Sequence, residues 1–246
     1  MQMSLETIIL VGIAVVLLGI SKAGFGGVGV AVALPVMSLG IEPALALGVL
    51  LPLLLATDVV SISAHGRHMD MRAILFAVPG GIVGVLLGAL VIDLASPAVI
   101  AGMIGVLAIL FAVMALTDKS PDVSGWPSWV GSLFGGLSGL TSTIAHAGGP
   151  PIHIYFLAKA YAPQAFVATS AGFMAAVNLM KIGPYVAIGA LNLEALKLAA
   201  MLAPLAVGAA FGGVYLARVL PKRTFKIAVN WLLVLAGLKL LFDAFS

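Results

Sequence analysis

The stretch GGLSGLTSTIAHAGGPPIHIYFLA, residues 135–158, combines polar side chains with helix-breaking residues inside a very apolar chain. Hydroxyl and imidazole groups surround the sequence Gly148-Gly149-Pro150-Pro151. Proline lacks a backbone N–H and clashes with the preceding turn, so this run cannot form one continuous helix. Irregular backbone at membrane depth is tolerated only where it is buried in protein or lines a cavity. The stretch therefore predicts a broken helix at the working site.

The composition is that of an integral membrane protein. Of the 246 residues, 62% are hydrophobic and 9% are charged, and the mean hydropathy is +1.22, whereas soluble domains have roughly 25% charged residues. Long apolar runs without alternation favour helices over a barrel. The chain has no cysteine, which excludes disulfide and thiolate chemistry. We attribute the net charge of +3 to loop topology rather than to nucleic-acid binding. We expect a multi-pass protein of the bacterial cytoplasmic membrane, beginning with an uncleaved helix.

Two apolar segments are too short to cross a bilayer, since a membrane-spanning helix needs about 20 residues. These are residues 28–40 and 150–160, and each follows a glycine-rich break. Each segment is predicted to be the returning limb of a hairpin whose tip lies within the protein. The other apolar segments, at about 5–22, 43–63, 72–92, 97–117, 127–143, 164–188, 194–217 and 225–244, are predicted to be the remaining helices.

The chain divides into two weakly similar halves. When Pro43 is aligned with Pro163, the same shift places Asp58 on Asn178. A slightly larger shift places Gly84 and Gly88 on Gly208 and Gly212, and such small-residue pairs are typical of close helix packing. The predicted units are a first membrane repeat at 1–117, a cytoplasmic linker at 118–126 and a second membrane repeat at 127–246.

Charge indicates that the second repeat is inverted relative to the first. Arg67 and Arg72 lie in one loop, but the matching second-half loop begins at Asn192. The opposite holds for the next pair of loops, where a basic cluster around Lys222 matches a first-half loop that contains Asp93. Because basic loops are cytoplasmic, matched loops should lie on opposite sides of the membrane. The predicted fold is an all-α integral membrane protein of two inverted repeats, each a broken-helix hairpin plus three transmembrane helices.

Inverted repeats with broken helices near the midplane are typical of secondary transporters. A helix that begins at a hairpin tip directs its free N–H groups and the positive end of its dipole toward the membrane centre. Two such helices, beginning near Val28 and Pro150, would converge on one point. That arrangement predicts an anion site.

The motifs SKAGFGGVGVAVALP (residues 21–35) and STIAHAGGPPIHIYFL (residues 142–157) resemble the paired hairpin motifs of the TauE/SafE family of sulfite and organosulfonate exporters. The resemblance covers nearly the whole chain. It implies an all-α inverted-repeat transporter whose cargo is a sulfur oxyanion, a small sulfonate or a carboxylate. It also implies that the hairpin residues Gly24, Gly26, Gly27, Gly29, Gly148, Gly149 and Pro150 help to form the substrate site.

Further site residues are predicted from the residues themselves. Polar groups near the hairpin tips are substrate-binding candidates: Ser21, Lys22, Thr141, Ser142, Thr143, His146 and His153. Lys22 either binds the anion or marks the cytoplasmic end of the first helix and snorkels. His146, Asp58 and Asn178 are coupling candidates, and Asp58 could pair with Arg67, with Arg72 or with a hairpin N–H. No zinc spacing is present, so we expect no metal and no cofactor.

The expected function is export of a small sulfur-containing anion such as sulfite or an organosulfonate. The partners expected are this anion, the lipid bilayer and possible further copies of the chain, with no nucleic acid. A competing hypothesis is an intramembrane serine protease, because Gly136-Leu137-Ser138-Gly139 spells GxSG and His146 follows. An importer of another small organic anion and a membrane scaffold are two more hypotheses. The anion, the direction, the coupling ion and the oligomeric state stay open.

Overall fold

A computed structural model describes residues 4–24, 30–117, 126–157, 159 and 161–245, and these form a helical bundle without strands. The helices are α1 (Leu5–Gly24), α2 (Val30–Ser38), α3 (Pro43–His65), α4 (Met71–Leu94), α5 (Pro97–Thr117), α6 (Val130–Ala145), α7 (Gly149–Leu157), α8 (Pro163–Ala187), α9 (Leu193–Val219) and α10 (Lys222–Phe245), with a 3₁₀ turn at Gly66–His68.

Seven of the described helices are long and apolar enough to cross a membrane, namely α1, α3, α4, α5, α8, α9 and α10. Their outward faces carry large apolar side chains, such as Leu86, Met201 and Phe242. An apolar exterior of this extent is unfavourable in water and suits a lipid bilayer. The all-α multi-pass architecture predicted from composition is therefore confirmed.

The boundaries of several helices follow from their end residues. α3 and α8 both begin with proline, which suits the first helical position because its missing N–H needs no partner there. Asp70 and Asn192 cap α4 and α9, and each side chain accepts a hydrogen bond from the backbone N–H three residues later. The equivalent helices of the two halves thus begin with the same chemistry.

The second predicted hairpin is formed by α6 and α7, which pack against each other on either side of a break at residues 146–148. In the first half, α1 packs against α2, and Gly40, two residues after the end of α2, lies beside Thr7 and Leu10 near the start of α1. The two limbs are therefore antiparallel. The residues that join them, which include Gly26, Gly27 and Gly29, lie outside the described residues, and Gly24 is the last residue of α1.

The halves pack through equivalent pairs of helices. α1 packs on α9 while α4 packs on α6, and α3 contacts α8 while α5 contacts α10. Asp58 and Asn178, the matched positions of the sequence alignment, are hydrogen-bonded to each other. A residue near a two-fold axis contacts its own counterpart, so this bond supports a two-fold relation between the halves.

The matched loops lie at opposite ends of the bundle. The loop between α3 and α4 docks on the start of α8, where Asp70 N donates to Thr169 Oγ1 over 3.0 Å. The loop between α8 and α9 lies beside the start of α3, where Gly48 faces the backbone of Ala190. Inverted repeats require this arrangement. Which end faces the cytoplasm, and the unit boundaries at 117 and 127, stay predictions.

Glycines allow the closest helix approaches. Gly80 and Gly84 of α4 face the backbones of Ser132 and Gly136 on α6, so the predicted close packing of α4 is confirmed. The matching prediction for Gly208 and Gly212 is wrong, because no described atom lies within 4 Å of where their Cβ atoms would be. The close approach in α9 is instead made by Gly213, which faces Ile20 of α1. The alignment of the first half on the second half is therefore wrong by one residue in α9, where Gly213 rather than Gly212 makes the close contact.

Candidate functional site

The break between α6 and α7 begins at His146, which is buried and has a left-handed backbone with φ 50°. Its N–H donates to Ser142 O over 2.9 Å and so closes the last turn of α6. A left-handed conformation is uncommon for a residue with a side chain and occurs often at ligand sites. Within the described break, the positive φ belongs to His146 rather than to a glycine.

Gly148 serves the break through its small size. A Cβ on Gly148 would lie 2.7 Å from Ser138 O and 2.8 Å from Ser142 Cβ. Ser138 Oγ also donates to Gly148 O over 2.5 Å, which holds the end of the break against α6. Gly148 therefore lets the chain return close enough to α6 for this contact to form.

The two threonines of α6 support the same region through their hydroxyl groups. Thr141 Oγ1 donates to Ala147 O over 3.1 Å, and Thr143 Oγ1 donates to Gly139 O over 2.8 Å. The carbonyl of Ala147 in the break is satisfied in this way, whereas the bond of Thr143 lies within α6. These hydroxyls are engaged with the backbone, so in this conformation they shape the site rather than face a ligand.

A buried lysine from α8 lies against the break. Lys181 is 0% exposed, and its Nζ lies 2.8 Å from His146 Nδ1, 3.1 Å from Ser142 Oγ and 3.2 Å from Ser142 O. His146 Nε2 lies 3.1 Å from the carbonyl oxygen of Leu47 on α3. A carbonyl only accepts, so Nε2 carries the hydrogen and Nδ1 is free to accept from the lysine.

An ion pair joins the end of α1 to α3. Lys22 Nζ is 2.6 Å from Asp58 Oδ1, with both side chains less than one tenth exposed, and Asn178 Nδ2 donates to Asp58 Oδ2 over 2.6 Å. The predicted pairing of Asp58 with Arg67 or Arg72 is therefore wrong. The hypothesis that Lys22 snorkels to the interface is also wrong, because its ammonium group is held inside the bundle.

These groups form one cluster across α1, α3, α6 and α8. We call Lys22, Asp58, Ser142, His146, Asn178 and Lys181 the polar centre. Asn178 and Lys181 are three positions apart on α8 and so lie on one face of that helix. The charges of Lys22 and Asp58 both act on Lys181.

Two polar atoms beside the ion pair have no partner among the described residues. They are Ser21 Oγ and Asn178 Oδ1, in side chains that are 0% exposed. A buried polar atom without a hydrogen bond is costly and rare. Ser21 precedes Lys22 on α1 and Asn178 belongs to the polar centre, so one donor and one acceptor without a described partner lie in this cluster or next to it in sequence.

Several predicted residues lie outside the polar centre. The His153 ring packs on the Phe166 ring with centroids 5.1 Å apart. Among the described residues, His153 makes no hydrogen bond to a residue of the polar centre. Pro150 and Pro151 occupy the first turn of α7 and have no N–H, so neither can donate to an anion. The other predicted backbone donors after Gly149 stay a prediction.

Lys181 is not among the site residues predicted from the sequence, although one sequence signal points to it. A charged residue inside an apolar membrane segment is a functional candidate by default, and Lys181 stands in the apolar run 164–188. The same rule had selected Asp58. Tyr185, one turn further along α8, was also missed, and its hydroxyl donates to Thr143 O over 2.6 Å.

A second polar site lies at the end of the bundle that the charge pattern assigns to the cytoplasm. A depression of about 230 Å³ is lined by Asp70, Arg72, Ala73, Phe76, Ser128, Tyr155 and Lys159. Asp70 Oδ2 accepts a hydrogen bond from Tyr161 over 2.5 Å. This bond lowers the pKa of Asp70, and burial together with Asp70 raises the pKa of Tyr161.

Comparison with known families agrees with this architecture. Residues 11–240 match the family described as Sulfite exporter TauE/SafE, which is nearly the whole chain. The chain belongs to this family. TauE/SafE proteins are membrane transporters, so the chain is a multi-pass transporter rather than an enzyme. Searches of curated proteins and of solved structures found no match.

Protease and metal chemistry gain no support from the geometry. Ser138 Oγ contacts Gly148 O and Met174 Sδ rather than His146, so no Ser–His pair is present among the described residues. No group of three or more His, Cys, Asp or Glu residues in the described part of the chain could hold a metal ion.

Proposed function

We propose that this TauE/SafE protein exports a small sulfur-containing anion, such as sulfite or an organosulfonate, and that the anion binds at the polar centre. The observation that carries the proposal is the environment of Lys181. Its ammonium group is completely buried, yet its three contacts are with the neutral atoms of Ser142 and His146. A buried ammonium group that contacts no opposite charge is unfavourable, and a bound anion would supply that contact.

The hairpin adds two features that favour an anion. The positive end of the α7 dipole lies at the break, next to Gly148 and Ser142. Ser21 Oγ is a buried donor without a partner in the described structure. Lysine, serine and histidine donors suit the oxygen atoms of a sulfonate or sulfite group.

The proposed cycle moves the halves around this fixed site. Each broken helix keeps its tip near the midplane, while the paired helices rock so that the polar centre opens to one side at a time. During binding, Lys181 would exchange one of its neutral acceptors for an oxygen atom of the anion. The Lys22–Asp58 pair and the Asn178 bond join α1, α3 and α8 and would keep the centre assembled.

Flux measurements on purified protein test the proposal. The protein is reconstituted in liposomes and offered sulfite, sulfate, thiosulfate, taurine, sulfoacetate and simple carboxylates. We expect flux of at least one sulfur-containing anion, and a fall of about tenfold or more in Lys181→Gln, because a charge-assisted hydrogen bond is lost. Lys239→Gln is the matched control, since Lys239 lies on the exposed side of α10 and pairs with Asp243.

The outcomes distinguish the competing hypotheses. Flux of a carboxylate with none of the sulfur-containing anions would contradict the proposed cargo. If the protein has a known orientation in the liposomes and the anion moves only toward its cytoplasmic side, the importer hypothesis would be favoured. An unchanged flux in Lys181→Gln would place the anion site elsewhere in the molecule.

A further inference from the structure

The polar centre contains two lysines but one carboxylate. Lys22 is paired with Asp58 at 2.6 Å, while Lys181 has three neutral acceptors, one for each hydrogen of its ammonium group. Residues 25–29, Phe-Gly-Gly-Val-Gly, lie outside the described residues, and their sequence contains no charged side chain. With both lysines protonated and Asp58 ionised, the described residues of the centre carry two positive charges and one negative charge.

We propose that Asp58 makes the site selective for monovalent anions, because it cancels one of the two lysine charges and leaves a single positive charge for the cargo. This inference rests on the proposed function and adds the charge of the cargo to it. The expected class is a monovalent sulfonate or hydrogensulfite. A divalent anion such as sulfate would leave one negative charge uncompensated inside the bundle, which is costly.

The arrangement of Asp58 supports a role in charge balance. One carboxylate oxygen contacts Lys22 and the other accepts from Asn178, so the carboxylate is fixed between α1 and α8. Asn178 lies three positions from Lys181 on the same face of α8. Asp58 is thus close enough for its charge to act on Lys181 while its own oxygen atoms are occupied. It is a positioning and specificity residue, and the anion need not touch it.

The inference differs from the simpler expectation that Lys22 binds the anion directly. If Lys22 were a direct ligand, removing it would weaken binding whatever happened to Asp58. If the net charge of the site determines anion affinity, removing Lys22 and Asp58 together leaves that net charge unchanged. Removing Lys22 alone lowers it by one unit. The pair of variants therefore separates the two explanations.

The test uses the full-length protein in detergent, with methanesulfonate as the monovalent probe and sulfate as the divalent probe, and binding is measured by calorimetry. We expect the unmodified protein to bind methanesulfonate about tenfold or more tighter than sulfate, since one unit charge at short range is worth at least that much. Lys22→Gln should lose methanesulfonate binding by a similar factor, and Lys22→Gln/Asp58→Asn should regain most of it. Asp58→Asn alone should shift the preference toward sulfate.

A matched control applies the same chemical changes to an exposed ion pair. Lys239→Gln/Asp243→Asn on α10 should change neither affinity, because both side chains are exposed at the surface. Sulfate binding as tight as methanesulfonate in the unmodified protein would overturn the inference without any variant. So would a double variant at Lys22 and Asp58 that stays as weak as Lys22→Gln. If the unmodified protein binds neither probe nor any anion of the flux panel, the proposed function fails, and this inference fails with it.

Discussion

At the scale of single residues, the break depends on Gly148 more than on Gly149. A Cβ on Gly148 would lie within 2.8 Å of atoms of Ser138 and Ser142, whereas a Cβ on Gly149 would come no closer than 3.4 Å, to the His153 ring. Gly148→Ala should therefore lower the free energy of unfolding by about 1–3 kcal/mol, which is typical of overpacking. It should also weaken anion binding, because Ser142 holds Lys181.

Gly149→Ala is the matched control and should be close to neutral in both measurements. Thermal unfolding in detergent and calorimetric titration with the transported anion would give the two values. If Gly148→Ala binds and unfolds like the unmodified protein, the packing of the break is not what holds Ser142 in place.

The residues of the site could be predicted from the sequence only in part. Ser142, His146, Lys22, Asp58 and Asn178 stand out as polar groups in apolar segments, and the structure brings all five into one cluster with Lys181. Their partners could not be predicted, because Lys181 and His146 are 35 positions apart and belong to different helices. The left-handed conformation of His146 was not predictable either, since the neighbouring glycines adopt that conformation more readily.

At the scale of helices, prolines, glycines and capping residues allow the helix boundaries to be predicted from the sequence. The predicted segments 72–92 and 97–117 correspond to α4 (Met71–Leu94) and α5 (Pro97–Thr117). The contacts between helices could not be predicted as well, because the sequence of a helix that is apolar on all sides does not show which face is buried. For that reason the alignment of α4 with α9 was one position out, and the close approach at Gly213 was missed.

The hydrogen bond from Tyr161 to Asp70, which joins the two halves at one end of the bundle, predicts how stability depends on pH. The Tyr161 hydroxyl holds the pKa of Asp70 below its ordinary value. A depressed carboxyl pKa adds stability above the unfolded pKa of about 3.9, and this stability is lost as the pH falls through the lower folded value. Tyr161→Phe should therefore cost stability at pH 7, by about 1 kcal/mol at this solvent-accessible position, and less below pH 4.

Thermal unfolding of both proteins across this pH range measures the difference. Tyr155→Phe is a suitable control, because its hydroxyl makes only a long contact of 3.5 Å with Ser128 O. A stability difference for Tyr161→Phe that stays constant from pH 7 to pH 3 would show that the hydrogen bond to Asp70 is not its cause.

At the scale of the whole molecule, the orientation of the halves can be tested by labelling. The loop that contains Arg67 and the loop that contains Asn192 lie at opposite ends of the bundle, and basic loops are cytoplasmic. The chain has no cysteine, so single cysteines can be introduced without background. A cysteine at Asn192 should react with a membrane-impermeant reagent in intact cells, and a cysteine at Arg67 should react only after the cells are opened. Reaction of both from outside would contradict the inverted arrangement.

The driving force of export is also a property of the whole molecule. Moving one negative charge out of a cell held at −100 mV inside releases about 2.3 kcal/mol, which corresponds to roughly a 50-fold gradient. Export of a monovalent anion therefore needs no coupling ion. The structure favours this version over proton coupling through His146, because both ring nitrogens are occupied, Nδ1 by Lys181 and Nε2 by the Leu47 carbonyl. A proton on Nδ1 would have to displace Lys181.

We therefore expect flux in proteoliposomes to follow the membrane potential and to ignore a pH gradient. The potential is set with potassium and valinomycin, the pH is varied on each side, and the anion is followed directly. His146→Gln is informative here, because glutamine can still accept from Lys181 but cannot carry a proton, so its flux should keep the same dependence on potential. Flux that requires a pH gradient and persists at zero potential would reject the uncoupled mechanism. If His146→Gln then lost the pH dependence while still binding the anion, His146 would be the coupling residue, and the bond between Lys181 and Nδ1 would have to open during each cycle.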